Sequence, residues 1–503
     1  MRFDLCIRHT VYRHVVLTAK ALLLSIGTLI LLAGNQSSLA NTLPNILIFM
    51  GDDLTYTDIG PYGSEQVHTP HLDQFAQQGL KFNYAFSSSA MCAPTRMELY
   101  TGIQPVRNGG HPNHSRVYDN IRSMPNYLRP LGYRVGILGK RHEAPQKNIG
   151  FEFIGGNTKK DKKGKAIHKS IDLKLAKQFI EKTQGPWALV VASRQPHGPW
   201  NLGDRSRYDP DQIQVPADLV DTPETRKALS LYFAETTFLD SQFGQVLAYL
   251  KASGKEKDTL VLFLTEQGST FPFAKWTLYE NGVRAGVIAR WPGKIKPATT
   301  TDAMIQYTDV LPTLIEIAGQ SSDKMDFDGR SFANVLYGKT KQHRKYSFAA
   351  HTTNGILNSS KSYPIRSVRD QRYRLIWNLD YKAKFQNIAI AKGGPAGTFK
   401  SWIKLAYNGD IKAKERVESY QYRPEFELYD IDQDPLNLNN LANNKNYSDI
   451  QENLFKELKN WMKQQGDKGL ATEADAPNRK RSRASAKYEL GIPAGSKTLD
   501  WRY

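Results

Sequence analysis

Four short apolar runs occur along the chain, and polar residues follow each of them at once. The runs cover residues 45–50, 134–138, 187–193 and 260–264. Because they are continuously apolar, they are typical of strands buried on both faces of a parallel sheet. The residues that follow them are Gly51-Asp52-Asp53, Gly139-Lys140-Arg141-His142, Pro196-His197 and Thr265-Glu266-Gln267-Gly268. The pattern predicts that these polar side chains meet at the carboxyl edge of one sheet.

Helical spacing appears between the apolar runs. Thr69 and Pro70 are suited to the N-cap and first position of a helix. Longer helical patterns cover residues 221–250 and 309–318. Strands that alternate with helices predict an α/β fold with a large, doubly wound, mostly parallel sheet.

The pattern changes near residue 340. Residues 363–377 suggest antiparallel strands, 427–435 a strand leading into a turn, and 448–465 an amphipathic helix. We therefore predict a larger catalytic domain over residues 41–340 and a smaller C-terminal α+β domain over residues 341–503.

The first 40 residues differ from the rest of the chain. They contain four basic residues, an apolar run from Ala21 to Gly34 and the small-residue site Ser38-Leu39-Ala40. This predicts a cleaved signal peptide rather than a retained anchor, and an exported protein that is periplasmic or secreted, with no membrane attachment after cleavage.

Charge and cysteine content narrow the possible functions. The formal net charge is +19, and the first 40 residues contribute +3 of it (four basic residues and Asp4), which leaves +16. Such a net charge suits a polyanionic partner, although a protein whose surface is basic only for solubility would have the same net charge. No stacking module or recognition helix is evident, so nucleic acid is not a predicted partner. Since Cys6 lies in the signal, Cys92 would be the one cysteine of the exported protein, and taken by itself it is best explained as a buried, inert thiol.

Cys92 begins the segment Cys92-Ala93-Pro94-Thr95-Arg96. A proline two residues after the cysteine favours a helix that starts there, so the helix dipole and Arg96 would favour an anion beside the sulfur. The residues leave two possibilities open, a thiolate of lowered pKa or a cysteine that is chemically processed.

Cys-x-Pro-x-Arg resembles the motif of the type I sulfatases, members of the alkaline phosphatase superfamily. The resemblance extends over residues 44–440 and continues through elements in family order. They are Gly51-Asp52-Asp53, Leu99, Thr101-Gly102, Gly139-Lys140, His142, Pro196-His197, Lys275, residues 279–284 and Tyr429-Asp430.

The resemblance implies that Cys92 is oxidised to formylglycine by a maturation enzyme. It also implies one Ca²⁺ bound by residue 92 together with Asp52, Asp53, Glu266 and Gln267. The pair Glu266-Gln267 departs from the family, which usually has Asp followed by Asn or His. Both replacements keep oxygen donors and lengthen the side chain by one methylene.

The resemblance further implies a role for each remaining site residue. A hydrated formylglycine oxygen attacks sulfur, and deprotonation of the second hydroxyl expels sulfate. His142 would be the base for that step and His197 the acid for the leaving alcohol. Lys140, Lys275 and Arg96 would stabilise the developing charge. Six further residues are predicted to line the substrate mouth, with loop packing as the equal alternative: His111, His114, Arg116, Trp200, Trp276 and Arg284.

The predicted activity is hydrolysis of sulfate esters on a carbohydrate. The basic chain favours a sulfated polysaccharide or oligosaccharide, such as an algal galactan or a glycosaminoglycan, over a small aryl sulfate. Of these we expect an algal galactan such as carrageenan. Two alternatives remain at this point, a phosphodiester or phosphonate monoester hydrolase on the same scaffold and a non-catalytic polyanion-binding protein. The sequence leaves the oligomeric state open.

Overall fold

The structure is a computed structural model that describes residues 43–142, 144–145, 149–160 and 166–479. The predicted signal peptide over residues 1–40 lies outside the described residues. Within them, no helix has the length and apolarity needed to cross a membrane.

A large mixed sheet carries the chemistry-bearing residues. Its nine strands in chain order are β1 (Asn45–Asp52), β2 (Leu80–Phe86), β3 (Arg134–Gly139), β4 (Glu152–Gly155), β7 (Trp187–Pro196), β8 (Thr259–Thr265), β9 (Arg284–Arg290), β10 (Thr299–Thr301) and β11 (Ile305–Gln306). The two strands between β4 and β7 in the chain, β5 (Asn157–Lys160) and β6 (Ala166–Ile171), form a separate hairpin. In the described ranges the order is β10-β2-β9-β8-β1-β7-β3-β4, and β11 also pairs with β2. All pairings are parallel except those of β9 with β2 and β8.

The four predicted strands correspond to β1, β3, β7 and β8, which are neighbours in the centre of the sheet. Every residue of β1 and β8 is buried, as the continuous apolar pattern predicted. Because β3, β7, β1 and β8 run parallel, their carboxyl ends lie side by side. The mostly parallel α/β architecture is thereby confirmed.

Helices pack against the strands of this sheet. Their bounds in chain order are α1 (Pro70–Gln77), α2 (Cys92–Thr101), α3 (Pro105–Asn108), α4 (Met124–Leu128), α5 (Leu173–Lys182), α6 (Pro223–Ala252), α7 (Glu280–Val283), α8 (Val310–Ile317) and α9 (Ala333–Leu336). The long helix α6 is capped by Thr222, whose hydroxyl accepts from the Thr225 N–H. Thr69 occupies the N-cap position of α1, but its hydroxyl accepts from the Gly60 N–H instead of capping the helix.

A smaller antiparallel sheet lies in the C-terminal part. It consists of β12 (Ser347–His351), β13 (Ile365–Arg369), β14 (Tyr373–Asn378) and β15 (Phe426–Asp430), in that order. The remaining helices are α10 (Thr398–Tyr407), α11 (Ile411–Gln421), α12 (Ser448–Gln464) and α13 (Leu470–Asp475). Leu454, Leu458 and Trp461 of the amphipathic helix α12 pack with Val368 and Leu375 of the sheet. The domain boundary near residue 340 stays a prediction, because one hydrophobic core includes residues from both sheets.

Candidate active site

Asp52 and Asp53 lie where the central strand β1 ends. Both side chains are buried, and each carboxylate accepts two bonds from a lysine ammonium. Lys140 Nζ donates to Asp52 at 2.8 and 2.6 Å, and Lys275 Nζ donates to Asp53 at 2.6 and 2.8 Å. Burial favours the neutral acids, but the lysines outweigh it and hold the pKa of both carboxyls below its usual value. Both aspartates are therefore ionised at neutral pH.

Cys92 is the first residue of helix α2, as the position of Pro94 predicts. All ten residues of this helix are buried. Cys92 Sγ lies 3.8 Å from Asp52 Oδ1 and 3.9 Å from Asp53 Oδ1. Burial, with Glu266 adding to the effect, raises the pKa of the Cys92 thiol to about 12. The thiol is therefore protonated in this arrangement, unlike the thiolate that the helix terminus alone suggests.

Lys140 and His142 extend from the end of β3. Gly139 precedes them with φ +96°, and a Cβ there would lie 2.2 Å from the Ala192 carbonyl oxygen, so only glycine allows this turn. Beyond the turn, His142 Nε2 lies 2.8 Å from His114 Nδ1, within hydrogen-bonding distance. The two histidines therefore form a pair, each in the left-handed backbone region with φ 55° and 57°.

Glu266 and Gln267 follow β8, next to β1. Arg96 Nε donates to Glu266 Oε1, and Arg96 Nη1 donates to the Lys140 carbonyl oxygen at 3.0 Å. Gln267 Nε2 donates to Asp53 Oδ1 at 2.6 Å. Burial raises the pKa of Glu266 to about 7, with Arg96 opposing the rise and Asp52 adding to it. The two strand ends thus contribute acidic and amide side chains to one cluster.

The loop after β8 supplies Lys275 and two further contacts. Thr270 Oγ1 donates to Asp53 Oδ2 at 3.0 Å. Lys275 Nζ lies 4.6 Å from the centroid of the Trp276 ring, a cation–π distance. Trp276 has φ 71° and packs with Met91, the residue before the candidate nucleophile. Strained left-handed residues on several loops therefore surround this one site.

His197 follows β7 and faces the same cluster. Its Nδ1 lies 2.8 Å from the Gly198 carbonyl oxygen, so Nδ1 carries the proton of that hydrogen bond. Its Nε2 is then directed at Asp53 Oδ2, at 3.7 Å. Burial lowers the pKa of His197 to about 4, although Asp53 and Asp52 oppose the shift.

The cluster has the donors of a site for a hard divalent cation. Carboxylate oxygens of Asp52, Asp53 and Glu266 and the Cys92 sulfur all lie within 4.8 Å of one another. Gln267 Oε1 is buried and has no hydrogen-bond partner among the described residues, so this oxygen is available as a further ligand. Carboxylate and amide oxygens are ligands that suit calcium or magnesium rather than zinc.

The charges of the acidic and basic side chains in the cluster sum to zero when every carboxyl group is ionised. The charged members are Asp52, Asp53, Glu266, Arg96, Lys140 and Lys275. A divalent cation would therefore leave the site doubly positive in a buried environment, where electrostatic attraction is strong. Such a site is suited to an anionic ester.

The predicted mouth residues do not share one environment. His114 and Trp276 touch the site through His142 and Lys275. Trp200 donates to the Pro196 carbonyl oxygen at 2.6 Å and stacks on Phe271, so it supports the strand end before His197.

The other three mouth residues have different surroundings. Arg284 donates to the Asn83 carbonyl oxygen and lies over Tyr56. Arg116 pairs with Asp119. His111 is buried, and burial lowers its pKa to about 3.

Three contacts of the site were missed by the sequence analysis. Asn113 Oδ1 accepts from the Ala93 N–H at 3.4 Å, at the start of helix α2, and Thr270 bonds Asp53. Asn113 lies between two histidines already singled out, which is the one signal that points to it. Ile356 and Ala389 of the C-terminal part complete an apolar cluster with Met91 and Trp276, and no local pattern indicates that contact.

Comparison with known proteins identifies the family. The family model for sulfatases matches residues 44–320, more than half of the chain. The chain belongs to the sulfatase family. It is therefore a sulfuric ester hydrolase, and the predicted family is confirmed. A second model, for the C-terminal region of N-sulphoglucosamine sulphohydrolase, matches residues 268–392.

This sulfatase is similar to two curated relatives and to one solved structure. It is 31% identical over 439 residues to an ulvan-active sulfatase of Formosa agariphila, covering 86% of this chain and 82% of that protein. It is 27% identical over 464 residues to N-sulphoglucosamine sulphohydrolase of Homo sapiens, covering 83% and 89%. A phosphonate monoester hydrolase of Agrobacterium radiobacter shares the fold, with a TM-score of 0.64, 17% identity and coverage of 84% and 96%.

Proposed function

We propose that this sulfatase is exported and removes sulfate groups from a sulfated polysaccharide or its oligosaccharides. The observation that carries the proposal is the convergence of Cys92 with three carboxylates and three cationic side chains at the strand ends. The chain's net charge of +19 supports a polyanionic substrate. The similarity to an ulvan-active sulfatase and to N-sulphoglucosamine sulphohydrolase supports a sulfated carbohydrate.

In this proposal residue 92 carries the nucleophile. Formylglycine made from Cys92 supplies, when hydrated, one hydroxyl for attack on sulfur and a second whose deprotonation expels sulfate. Arg96, Lys140 and Lys275 hold the sulfate oxygens and the residue 92 hydroxyls, since their cationic groups already surround this position.

Two histidines move the protons. His142 accepts the proton of the second hydroxyl, and His114, 2.8 Å from it, fixes its ring. His197 donates to the leaving alcohol from Nε2, because its Nδ1–H is engaged by Gly198. A negatively charged ester beside His197 favours the protonated ring that this step needs.

Asp52, Asp53, Glu266 and Gln267 would hold the cation, which we propose is Ca²⁺. When bound, the cation supplies Lewis-acid activation at the residue 92 oxygen. The departure from the family's Asp-Asn or Asp-His pair leaves the oxygen donors in place, and Gln267 Oε1 lies in the buried cluster without another partner among the described residues.

Cation binding is expected to raise the thermal stability of the protein. At a calcium concentration about 100 times Kd, a single site adds about 2.7 kcal/mol to the free energy of unfolding. The protein is dialysed against a chelator, and its melting temperature is measured by calorimetry with and without added Ca²⁺ or Mg²⁺. Asp53→Asn should lose the shift, while Asp211→Asn, at an exposed carboxylate, should keep it. An equal shift in both variants would contradict the assigned ligands.

A substrate panel tests the activity itself. Protein made together with a formylglycine-generating enzyme is incubated with oligosaccharides of ulvan, heparan sulfate and ι-carrageenan, and released sulfate is measured by ion chromatography. The same preparation is tested on a phosphodiester and a phosphonate monoester. We expect sulfate release from at least one glycan at a higher kcat/KM than for either phosphorus ester. Faster phosphonate cleavage would favour the alternative reaction on this scaffold.

A further inference from the structure

A cavity of about 450 Å³ lies outside the active site, between strand β14 and helix α12. We call it the Trp377 pocket. Its walls are Trp377, Met462, the turn 466–467 and three lysines, Lys459, Lys463 and Lys468. None of these residues belongs to the catalytic cluster. The volume falls within the range of about 300–1,000 Å³ that is common for small-ligand sites.

The positive charge of the Trp377 pocket is not neutralised by the residues that the structure describes. Lys459 and Lys463 are one helical turn apart on α12, so their like charges repel each other. All three lysines are exposed, and none forms an ion pair with another described residue. Asp467 is the one carboxylate on the described wall, and it is already engaged by Arg366, whose Nη2 donates to it at 2.9 Å. An anionic ligand would relieve this repulsion.

An apolar surface lies among these charges. Trp377 is half-buried and held from two sides, by a stacked contact with Phe426 at 6.2 Å and an edge contact with Phe455 at 5.2 Å between ring centroids. Met462 adds a second apolar wall. A fixed indole with a flat apolar face is suited to the C–H face of a sugar ring.

We propose that the Trp377 pocket binds a sulfated sugar unit of the polysaccharide substrate, away from the bond that is cleaved. The sugar ring lies on the indole, and the lysine ammonium groups bind its sulfate oxygens. The combination of one aromatic face and three cations favours a sulfated sugar over a merely anionic surface such as a membrane. The inference rests on the proposed function, because it extends the same substrate to a second site.

A second site on a polymer changes its kinetics in a defined way. Binding of one unit at the Trp377 pocket raises the effective concentration of neighbouring units near the active site. KM for a long chain is then lowered, while kcat and the kinetics on a short substrate are unaffected. The contribution weakens as salt increases, since the lysines are exposed.

The test reverses the charge of the pocket with the triple variant Lys459→Glu/Lys463→Glu/Lys468→Glu. The matched control is Lys174→Glu/Lys251→Glu/Lys257→Glu, which makes the same charge change at exposed positions elsewhere. Affinity electrophoresis in gels that contain ulvan, heparan sulfate or ι-carrageenan measures binding, with unsulfated agarose as the blank. We expect at least about fivefold weaker retention by one or more sulfated glycans for the pocket variant than for the control.

Kinetics then separate this inference from the proposed function. The pocket variant should show a KM several-fold higher on the polymer and unchanged kcat/KM on a sulfated disaccharide. Trp377→Leu, with folding checked by calorimetry, should weaken binding without any change of charge. Equal retention of the pocket and control variants on all three glycans, or a selective loss of binding only to DNA or anionic vesicles, would overturn the inference. Absence of sulfate release by the wild type would overturn the proposed function. The retention experiment would still show whether the Trp377 pocket binds sulfated glycans.

Discussion

Replacing Cys92 by alanine is expected to abolish sulfate release, with a fall in rate of at least about 10⁴-fold. The side chain lies at the buried start of helix α2, within 4 Å of the carboxylates of Asp52 and Asp53. An alanine there leaves the cationic side chains and the acidic ligands in place but lacks the thiol whose oxidation gives formylglycine, so no hydrated aldehyde can form.

Peptide mass spectrometry of the wild type is measured beside activity. The fragment that contains residue 92 should carry an aldehyde, and its fraction should scale with the rate of sulfate release among preparations. Cys92→Ser, whose side chain is close to cysteine in size, is the control for folding, and calorimetry should show that it folds like the wild type. Sulfate release by Cys92→Ala, or full activity with an unmodified thiol, would contradict the proposed nucleophile.

Replacing Glu280 by glutamine is expected to destabilise the protein by about 3–5 kcal/mol, because it leaves buried arginines without their counter-charge. Arg369 Nε and Arg374 Nε each donate to Glu280 Oε1 at 2.8 Å. Arg284 Nη1 lies 3.5 Å from Glu280 Oε2. Glu280 begins helix α7, whereas Arg369 and Arg374 belong to the antiparallel sheet, so this ion cluster joins the two sheets.

The unfolding midpoint in urea measures this loss, and Glu452→Gln, at an exposed carboxylate, is the control. Burial would raise the pKa of Glu280, but the arginines lower it to about 2, below its ordinary value of 4.5. Its contribution is therefore present above pH 4.5 and is lost as the pH falls towards 2. The wild type should lose stability over that range more steeply than Glu280→Gln. An unchanged midpoint in the variant at pH 7 would show that the cluster is not needed.

The strand ends illustrate how much local sequence can predict. The continuous apolar runs identified β1, β3, β7 and β8, and parallel strands must present their carboxyl ends at one edge. Asp52, Lys140 and Glu266 could therefore be grouped from the apolar pattern alone. Pro94 likewise indicated that Cys92 begins a helix, and Cys92 is the first residue of α2.

Contacts between distant segments could not be predicted in the same way. Even over nine residues, the sequence does not indicate that the Thr69 hydroxyl accepts from the Gly60 N–H instead of from an N–H of helix α1. Trp200 and Trp276 have similar chemistry, yet only Trp276 packs beside the Cys92 helix. Neither the hydrogen bond of Thr69 nor the different packing of the two tryptophans can be predicted from the few residues around each side chain.

By itself, the sequence determined the four central strands of the large sheet, the start of the Cys92 helix and the grouping of Asp52, Lys140 and Glu266 at one edge of the sheet. These features depend on local apolar patterning and on the fixed geometry of parallel strands. Only the tertiary structure decided that each aspartate is bound by its own lysine, that His114 pairs with His142 and that Glu280 joins the two sheets. Those pairings join residues far apart in the chain, so their energies depend on packing and burial that appear only after the chain has folded.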